Sequence, residues 1–492
     1  MNALLVVDNP KRWSLDIPGV ETISAGDYLT DRRYSDRRGA KVFNLCRSYR
    51  YQTTGYYVSL LAEARGHRPL PSIGTLQDLR SRRIVRSLSA ELDERIQRLL
   101  KPLRSSSFEL SIYFGQNLAR RYDTLAQALF GLFPAPFLRA VFERLGDRWE
   151  LRQVSLIGAN EVPESHHAFI AEAVARHFTR GGAPRRRRAK ARFDLAVLID
   201  PEEEEPPSNQ RALKRFERAA DAVGLAVEFI TREDAGRLAE FDALFIRETT
   251  AVNHHTFRIA SRAEAEGLVV IDDPRSIIRC TNKVYLAELL ERHDIATPKT
   301  LIVHRGNAAE VGEVCGFPCV LKAPDSAFSA GVIKVDDADA LKPALERFFA
   351  GSDLVVAQAF TPTDFDWRVG VIDGRPLYVC RYHMAKRHWQ VIRRDDSGNT
   401  AAEGGVDTLA VSEAPADIVR TAVRAANLIG DGLYGVDLKR IGRRAVVIEV
   451  NDNPSIDAGY EDRVMKDALY REIMGSLLRR IVARKRLDVE NG

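Results

Sequence analysis

The sequence predicts an α/β and α+β protein, and three features carry that reading. Strands and helices alternate near the start of the chain, the alternation resumes beyond a run of arginines, and the C-terminal part holds short apolar strands paired across tight turns. At roughly 150 residues per domain, 492 residues imply about three domains. Residues 4–7 form an apolar strand running into Asp8. Residues 55–67 carry a helical pattern closed by Gly66, and the extended Arg68-Pro69-Leu70-Pro71 follows. Between residues 87 and 103 apolar positions recur at helical spacing, with basic residues on the other face. A linker is expected over 181–191, where Gly, Pro and like charges (Arg185 to Arg188, Lys190) mix in a way no core absorbs. Beyond it come a strand (193–199), a loop holding Glu202 to Glu205, a helix (210–223), a strand ending near Ile230, a helix, and a strand (243–246). This second α/β domain extends to about Cys280, and no repeat or heptad pattern interrupts it.

Charge and composition narrow the function classes. The 73 Lys and Arg nearly balance the 68 Asp and Glu, leaving +5, which argues against a wholesale polyanion binder and makes nucleic acid an unfavoured partner. A 45% hydrophobic content excludes a disordered chain. Five scattered cysteines fit neither a disulfide framework nor a zinc ribbon and suit a reducing compartment. The start lacks a basic segment and cleavage site, and no stretch reaches the ~18 apolar residues of a membrane span, so a soluble cytoplasmic protein is expected.

The chemistry concentrates in the C-terminal part. Residues 435–439 and 447–451 are short, β-branched-rich runs flanking a Gly-containing turn, which reads as a β-hairpin. Folding the chain about residue 443 places Asp437 opposite Glu449, with Asn451 on the same face as Glu449 and opposed Cβ atoms about 5 Å apart. Two carboxylates that close repel unless a cation lies between them, and an all-oxygen set suits Mg²⁺ or Mn²⁺. Lys322 lies in an apolar strand, where an unpaired ammonium is unfavourable and a phosphate compensates it; the loop 325–331 then returns into a second strand, 332–335. Lys283 stands at the start of a helix that runs to about His293, with Thr281 as its expected N-cap, a place that favours a nearby anion. Residues 366–372 and 375–381 flank Asp373-Gly374, a strong hairpin signal that sets Asp366 opposite Arg381 and puts Arg368 on the face of Asp366. That charged face reads either as a structural salt bridge or as a contact for an anionic substrate or ribose. His254 and His255 are expected to point apart, and no Cys or carboxylate spacing accompanies them to make a zinc site.

In this order and context, Lys283, Lys322 with its small-residue loop, Gln358-Ala359-Phe360, Asp366, Asp437 and Glu449-Val450-Asn451 resemble the ATP-grasp ligases, most of all the RimK-like glutamate ligase group. The resemblance covers roughly residues 190–482. Upstream, residues 44–67 resemble the RLAN domain that precedes some RimK-like proteins. The resemblance implies an RLAN-like domain over 1–180, the linker, a pre-ATP-grasp α/β domain over 192–280, a two-lobed ATP-grasp fold over 281–482 and a polar tail over 483–492. It implies ATP held by Lys283, Lys322, Ser326, Ser329 and Gly331, the base against Gln358, Ala359 and Phe360, and ribose on Asp366. Asp437, Glu449 and Asn451 would hold two Mg²⁺ or Mn²⁺ ions, with Arg368, Arg381 and Lys386 on the acyl phosphate and substrate. The implied reaction joins a carboxylate, such as that of glutamate, to an amine on a peptide, protein or small molecule through an acylphosphate, releasing ADP and phosphate. Loop 383–390 departs from the acceptor segment of glutamate ligases, so the acceptor stays open, as does self-association. The alternative is a non-catalytic nucleotide-binding module, against which stands the intact triplet of Asp437, Glu449 and Asn451.

Overall fold

The computed structural model describes residues 3–13, 20–37, 39–81, 85, 89, 92–179, 192–325, 331–385, 389–394 and 400–490. The expected linker 181–191, Ser326, Ser329 and Lys386 lie outside the described residues. Two compact units are formed, one from residues 1–196, 230–242 and 481–492, the other from 197–229 and 243–480. The segment expected as a separate domain over 192–280 is thus divided between them.

In the first unit, the strand Ala3–Val7 is buried along its whole length, as its uninterrupted apolar sequence requires of a central parallel strand. Glu21–Ser24 pairs with it on one side and Lys41–Asn44 on the other, and Arg68–Leu70 extends the parallel sheet. The expected helix is Thr54–Ala64, and Gly66 follows it with φ +64°. An antiparallel sheet of Ser107–Tyr113, Phe137–Leu145 and Arg148–Leu156, absent from the sequence reading, supplies Phe137, Phe142 and Trp149 to the core of this unit. The same unit contains a charged knot: the 6%-exposed Glu240 meets Lys41 at 2.9 Å, His177 at 2.8 Å and Arg237 at 3.3 Å.

The second unit is built on three sheets. One orders Val269–Ile271, Ala243–Ile246, Phe193–Leu198 and Leu225–Ile230, with the helix Gln210–Val223 where expected. The next orders Thr300–Val303, Val355–Ala359, Cys319–Lys322 and Val332–Val335, all antiparallel. The third orders Val406–Leu409, Arg375–His383, Phe365–Ile372, Leu433–Ile441 and Arg444–Asn451, again antiparallel. The helix Ala416–Ile429 covers one face of this last sheet, burying Trp367, Val369, Val436, Leu438, Val447 and Val450. Residues 483–490, expected as a polar tail, continue the helix Asp467–Glu490. No helix among the described residues is long and apolar enough to cross a membrane.

Candidate functional site

Strand alternation assigns the opposite face of the five-stranded sheet to polar side chains. Asp366 and Arg368 share that face on one strand, Asp437 and Lys439 on the next, and Glu449 and Asn451 on the edge strand. The register puts Arg368 opposite Asp437, and Asp437 opposite Glu449 as the sequence implied. That opposition depends on a bulge: the turn pairs Ile441 with Arg444, and Asp437 meets Glu449 only because Ile448 is an extra residue in the ladder.

The other hairpin departs from expectation. Asp373 and Gly374 take φ of 50° and 68°, as a two-residue turn of this kind requires. A bulge at Gly370/Val371 then moves the register by one, so Asp366 faces Tyr382 and Arg381 faces Trp367. The cause is packing: the Tyr378 ring lies over Gly370, 2.1 Å from where a Cβ would stand. Arg381 therefore belongs to the reverse face, where it pairs with Asp407 at 3.1 Å and lies over Phe365.

On the polar face, Arg368 grips Asp437 with two hydrogen bonds, Nε to Oδ1 at 2.6 Å and Nη2 to Oδ2 at 2.7 Å, and Asn451 Nδ2 donates to Asp437 Oδ2 at 3.1 Å. The salt bridge foreseen for this face exists, with Lys439 rather than Arg381 as the partner of Asp366, at 2.6 Å. Lys283 reaches Glu449 Oε1 at 3.3 Å from the first residue of the helix Lys283–Arg292. The cap of that helix is Asn282, which accepts from Tyr285 N and donates to Asp325; Thr281 ends the preceding helix Pro274–Thr281. Lys322 donates to Gln358 Oε1 at 2.9 Å, and Gln358 donates to Thr300 Oγ1 at 3.0 Å.

Lys283, Lys322, Gln358, Asp366, Arg368, Asp437, Lys439, Glu449 and Asn451, with Ala359 and Phe360, line a cavity of about 780 Å³. Gly331 is not part of its lining; its carbonyl accepts from Ala323 N and closes the loop between the two strands. The amides of Ala359 and Phe360 donate to Lys299 O and Pro318 O, and the Ala359 carbonyl accepts from Thr361 Oγ1 at 3.3 Å. The Trp389 ring approaches Phe360 edge-on at 5.8 Å, and Lys334 lies over Phe360. Sequence reasoning missed another stretch of wall, formed by residues 204–207, Asn209, residues 249–253 and 452–455, Asp457, Tyr460 and Glu461. A signal existed: Thr249 and Thr250 follow the buried strand Ala243–Ile246, at the strand ends where α/β sheets place ligands. His254 and His255, expected to point apart, instead stack with ring centroids 3.9 Å apart because they open a helix rather than share a strand.

Desolvation shapes the electrostatics. It pushes the Asp437 carboxyl above the ordinary range despite Arg368, with Glu449 adding to the rise. It opposes ionisation of Glu449 too, but Lys283 and Lys322 bring that group below its ordinary value. Lys322 is pushed down to about 8, by desolvation and by Lys283, with Glu449 working against the fall.

Among the described residues, no group of three or more His, Cys, Asp or Glu is placed to hold a metal, and the third member of the triplet is an amide. The donor set nevertheless fits a hard divalent cation: Asp437 and Glu449 oppose each other on a polar face open to the cavity, with Asn451 adjoining. Arg368 stands at the same Asp437 oxygens.

Two family models and several curated proteins match the chain. Residues 25–173 match the RimK-like ATP-grasp N-terminal domain and residues 280–468 the RimK-like ATP-grasp domain. The alpha-aminoadipate–LysW ligase of Saccharolobus solfataricus is 30% identical over 220 residues, 43% of this chain and 75% of that protein. A probable alpha-L-glutamate ligase of Teredinibacter turnerae is 25% identical over 240 residues, 48% of this chain and 76% of that protein. A D-alanine–D-alanine ligase structure from Bacillus anthracis aligns with TM-score 0.48 at 18% identity, over 61% of this chain and all of that one. The protein is an enzyme of the ATP-dependent acid–amino-acid ligase class, ADP-forming. It belongs to the RimK-like ATP-grasp ligases and carries their RLAN-type N-terminal domain.

Proposed function

We propose that the chain joins the carboxylate of an amino acid such as glutamate to an amine on a peptide, protein or small molecule in the cytoplasm, where its five cysteines are free and buried. The observation that carries this reading is the single polar face on which Asp366, Arg368, Asp437, Lys439, Glu449 and Asn451 meet Lys283 and Lys322 within one cavity. Asp437, Glu449 and Asn451 would hold Mg²⁺ or Mn²⁺, which supplies charge neutralisation of the transferring phosphoryl group. Lys283 and Lys322 balance the phosphates, and Phe360 offers a ring to the base. A carboxylate oxygen attacks the γ-phosphorus and ADP leaves. The amine nitrogen then attacks the acyl carbon, phosphate leaves, and the nitrogen gives up a proton. Arg368 lies where it can neutralise the acyl phosphate once it releases Asp437.

The test is to incubate the protein with ATP, Mg²⁺ and a panel of amino acids and peptides. Release of ADP and phosphate that depends on both substrates is the expected result. Release of AMP rejects the acylphosphate route, and a protein that binds no nucleotide rejects the reading altogether.

A further inference from the structure

Arg247 follows the strand Ala243–Ile246 and is 1% exposed. Its guanidinium is spread over neutral acceptors in two separate segments. Nε donates to Ser208 Oγ at 3.1 Å, Nη1 to Asn453 Oδ1 at 2.7 Å, and Nη2 to Pro454 O at 3.0 Å and to Pro207 O. Asn453 returns a bond from Nδ2 to Glu248 O at 2.6 Å, and Thr250 Oγ1 donates to Asp452 Oδ2 at 2.8 Å. Both residues that follow Asn451 are therefore held by residues 247–250.

The position of this clamp matters because the strand ladder ends at Asn451, paired with Gly435, and provides no register beyond it. The loop also packs down on the sheet, with Pro454 Cβ 2.8 Å from where a Cβ on Gly435 would stand. We propose that Arg247 is a positioning residue for the metal-holding end of the cavity, fixing Asn451 by clamping Asn453 and Pro454 just beyond it and thereby setting the affinity for a divalent cation bound with nucleotide. The proposal rests on Asp437, Glu449 and Asn451 being the metal ligands. A planar five-donor fork can hold Ser208, Asn453 and Pro454 together, whereas the three donors of a lysine radiate from one point and cannot span them. Groups that orient metal ligands from behind set metal affinity by about ten- to a hundredfold.

ADP binding to the full-length protein, measured by calorimetry in Mg²⁺ and again in EDTA, tests this. Wild type is expected to bind ADP more tightly in Mg²⁺. Arg247→Gln should keep its EDTA affinity within about twofold and lose about ten- to a hundredfold in Mg²⁺. Arg247→Lys should restore only a small part, because charge without the fork does not hold the loop. Ser208→Ala removes one acceptor of the fork and leaves the buried guanidinium in place, serves if Arg247→Gln fails to fold, and should lose about threefold in Mg²⁺ alone. Equal losses in both conditions, full rescue by lysine, or a Ser208→Ala protein that matches wild type overturns the role of Arg247. A wild-type protein whose ADP affinity ignores Mg²⁺ overturns the metal assignment itself, and the role of Arg247 with it.

Discussion

Glu240 in the first unit and Asp437 in the second each accept from an arginine in a desolvated setting, yet their acidities move in opposite directions. Burial opposes ionisation of Glu240, but Lys41, His177 and Arg237 surround it and hold it well below the ordinary glutamate range. Desolvation prevails at Asp437, since Arg368 is its cation while Glu449 and Asp366 crowd it with like charge. The first network is closed and complete, with more positive than negative neighbours about the carboxylate. The second gathers three carboxylates and four cations, Arg368, Lys439, Lys283 and Lys322, along the wall of a cavity of about 780 Å³, where a ligand can meet either sign of charge. A carboxylate ringed by cations is held ionised, whereas one crowded by like charge in a desolvated cleft has its acidity perturbed, as groups at functional sites often do.

Mutations can separate the two kinds of network. Glu449→Ala or Asn451→Ala should lower ATP-dependent ligation by about a thousandfold or more, with the melting temperature little changed; retained turnover would remove both residues from the metal site. Glu240→Ala should do the reverse, costing about 3–5 kcal/mol in denaturant unfolding because Lys41, His177 and Arg237 lose their shared counter-charge, while ADP affinity holds. Because Glu240 ionises more readily folded than unfolded, its contribution is present above the ordinary glutamate range and is lost as pH falls through its lowered value. Wild-type stability should accordingly fall more steeply on acidification than that of the variant.

Lys322 gives a smaller and pH-coded effect. Its pKa of about 8 in the free protein lies below the ordinary lysine value, and a bound phosphate raises it again. ADP affinity should be flat below about pH 8 and weaken above it, where binding must take up a proton. Lys322→Met should weaken ADP by about tenfold at neutral pH and abolish that slope. Gly370→Ala forces a Cβ into the Tyr378 ring and should cost about 1–3 kcal/mol in unfolding. The least effect belongs to Arg381→Ala, less than about twofold on ADP affinity, since its exposed pair with Asp407 lies on the reverse face.

The two hairpins show where reading from sequence stops. Both turns were legible, from Asp373-Gly374 and from the glycine at 442, because turn geometry is set by a few adjacent residues. Each hairpin contains a bulge that no local pattern announces. In the 433–451 hairpin the bulge at Ile448 brings Asp437 against Glu449, where folding about residue 443 had placed them. In the 365–383 hairpin the bulge beside Gly370 parts Asp366 from Arg381 and sends the arginine to the other face. A one-residue shift exchanges the two faces of a strand, so an error that small misplaces an entire charged side chain. The helix start at Lys283 shows the same limit on a smaller scale, since Thr281 and Asn282 are both good caps and the preceding helix takes Thr281 for its own last turn.

By itself the sequence determined the two hairpins of the ligase part, the strand that carries Lys322 and the helix that begins at Lys283, the alternation that puts Glu449 and Asn451 on one side, and the residue types able to meet phosphate and a hard cation. These follow from sterics and hydrogen bonding between residues close in the chain. Tertiary structure decided which charges meet: Arg368 on Asp437, Lys439 rather than Arg381 on Asp366, and Arg247 on Asn453 across 206 positions. Those pairings depend on how whole elements pack, on the Tyr378 ring over Gly370 and on a guanidinium buried between two loops, and packing between distant segments leaves no periodic trace in the chain.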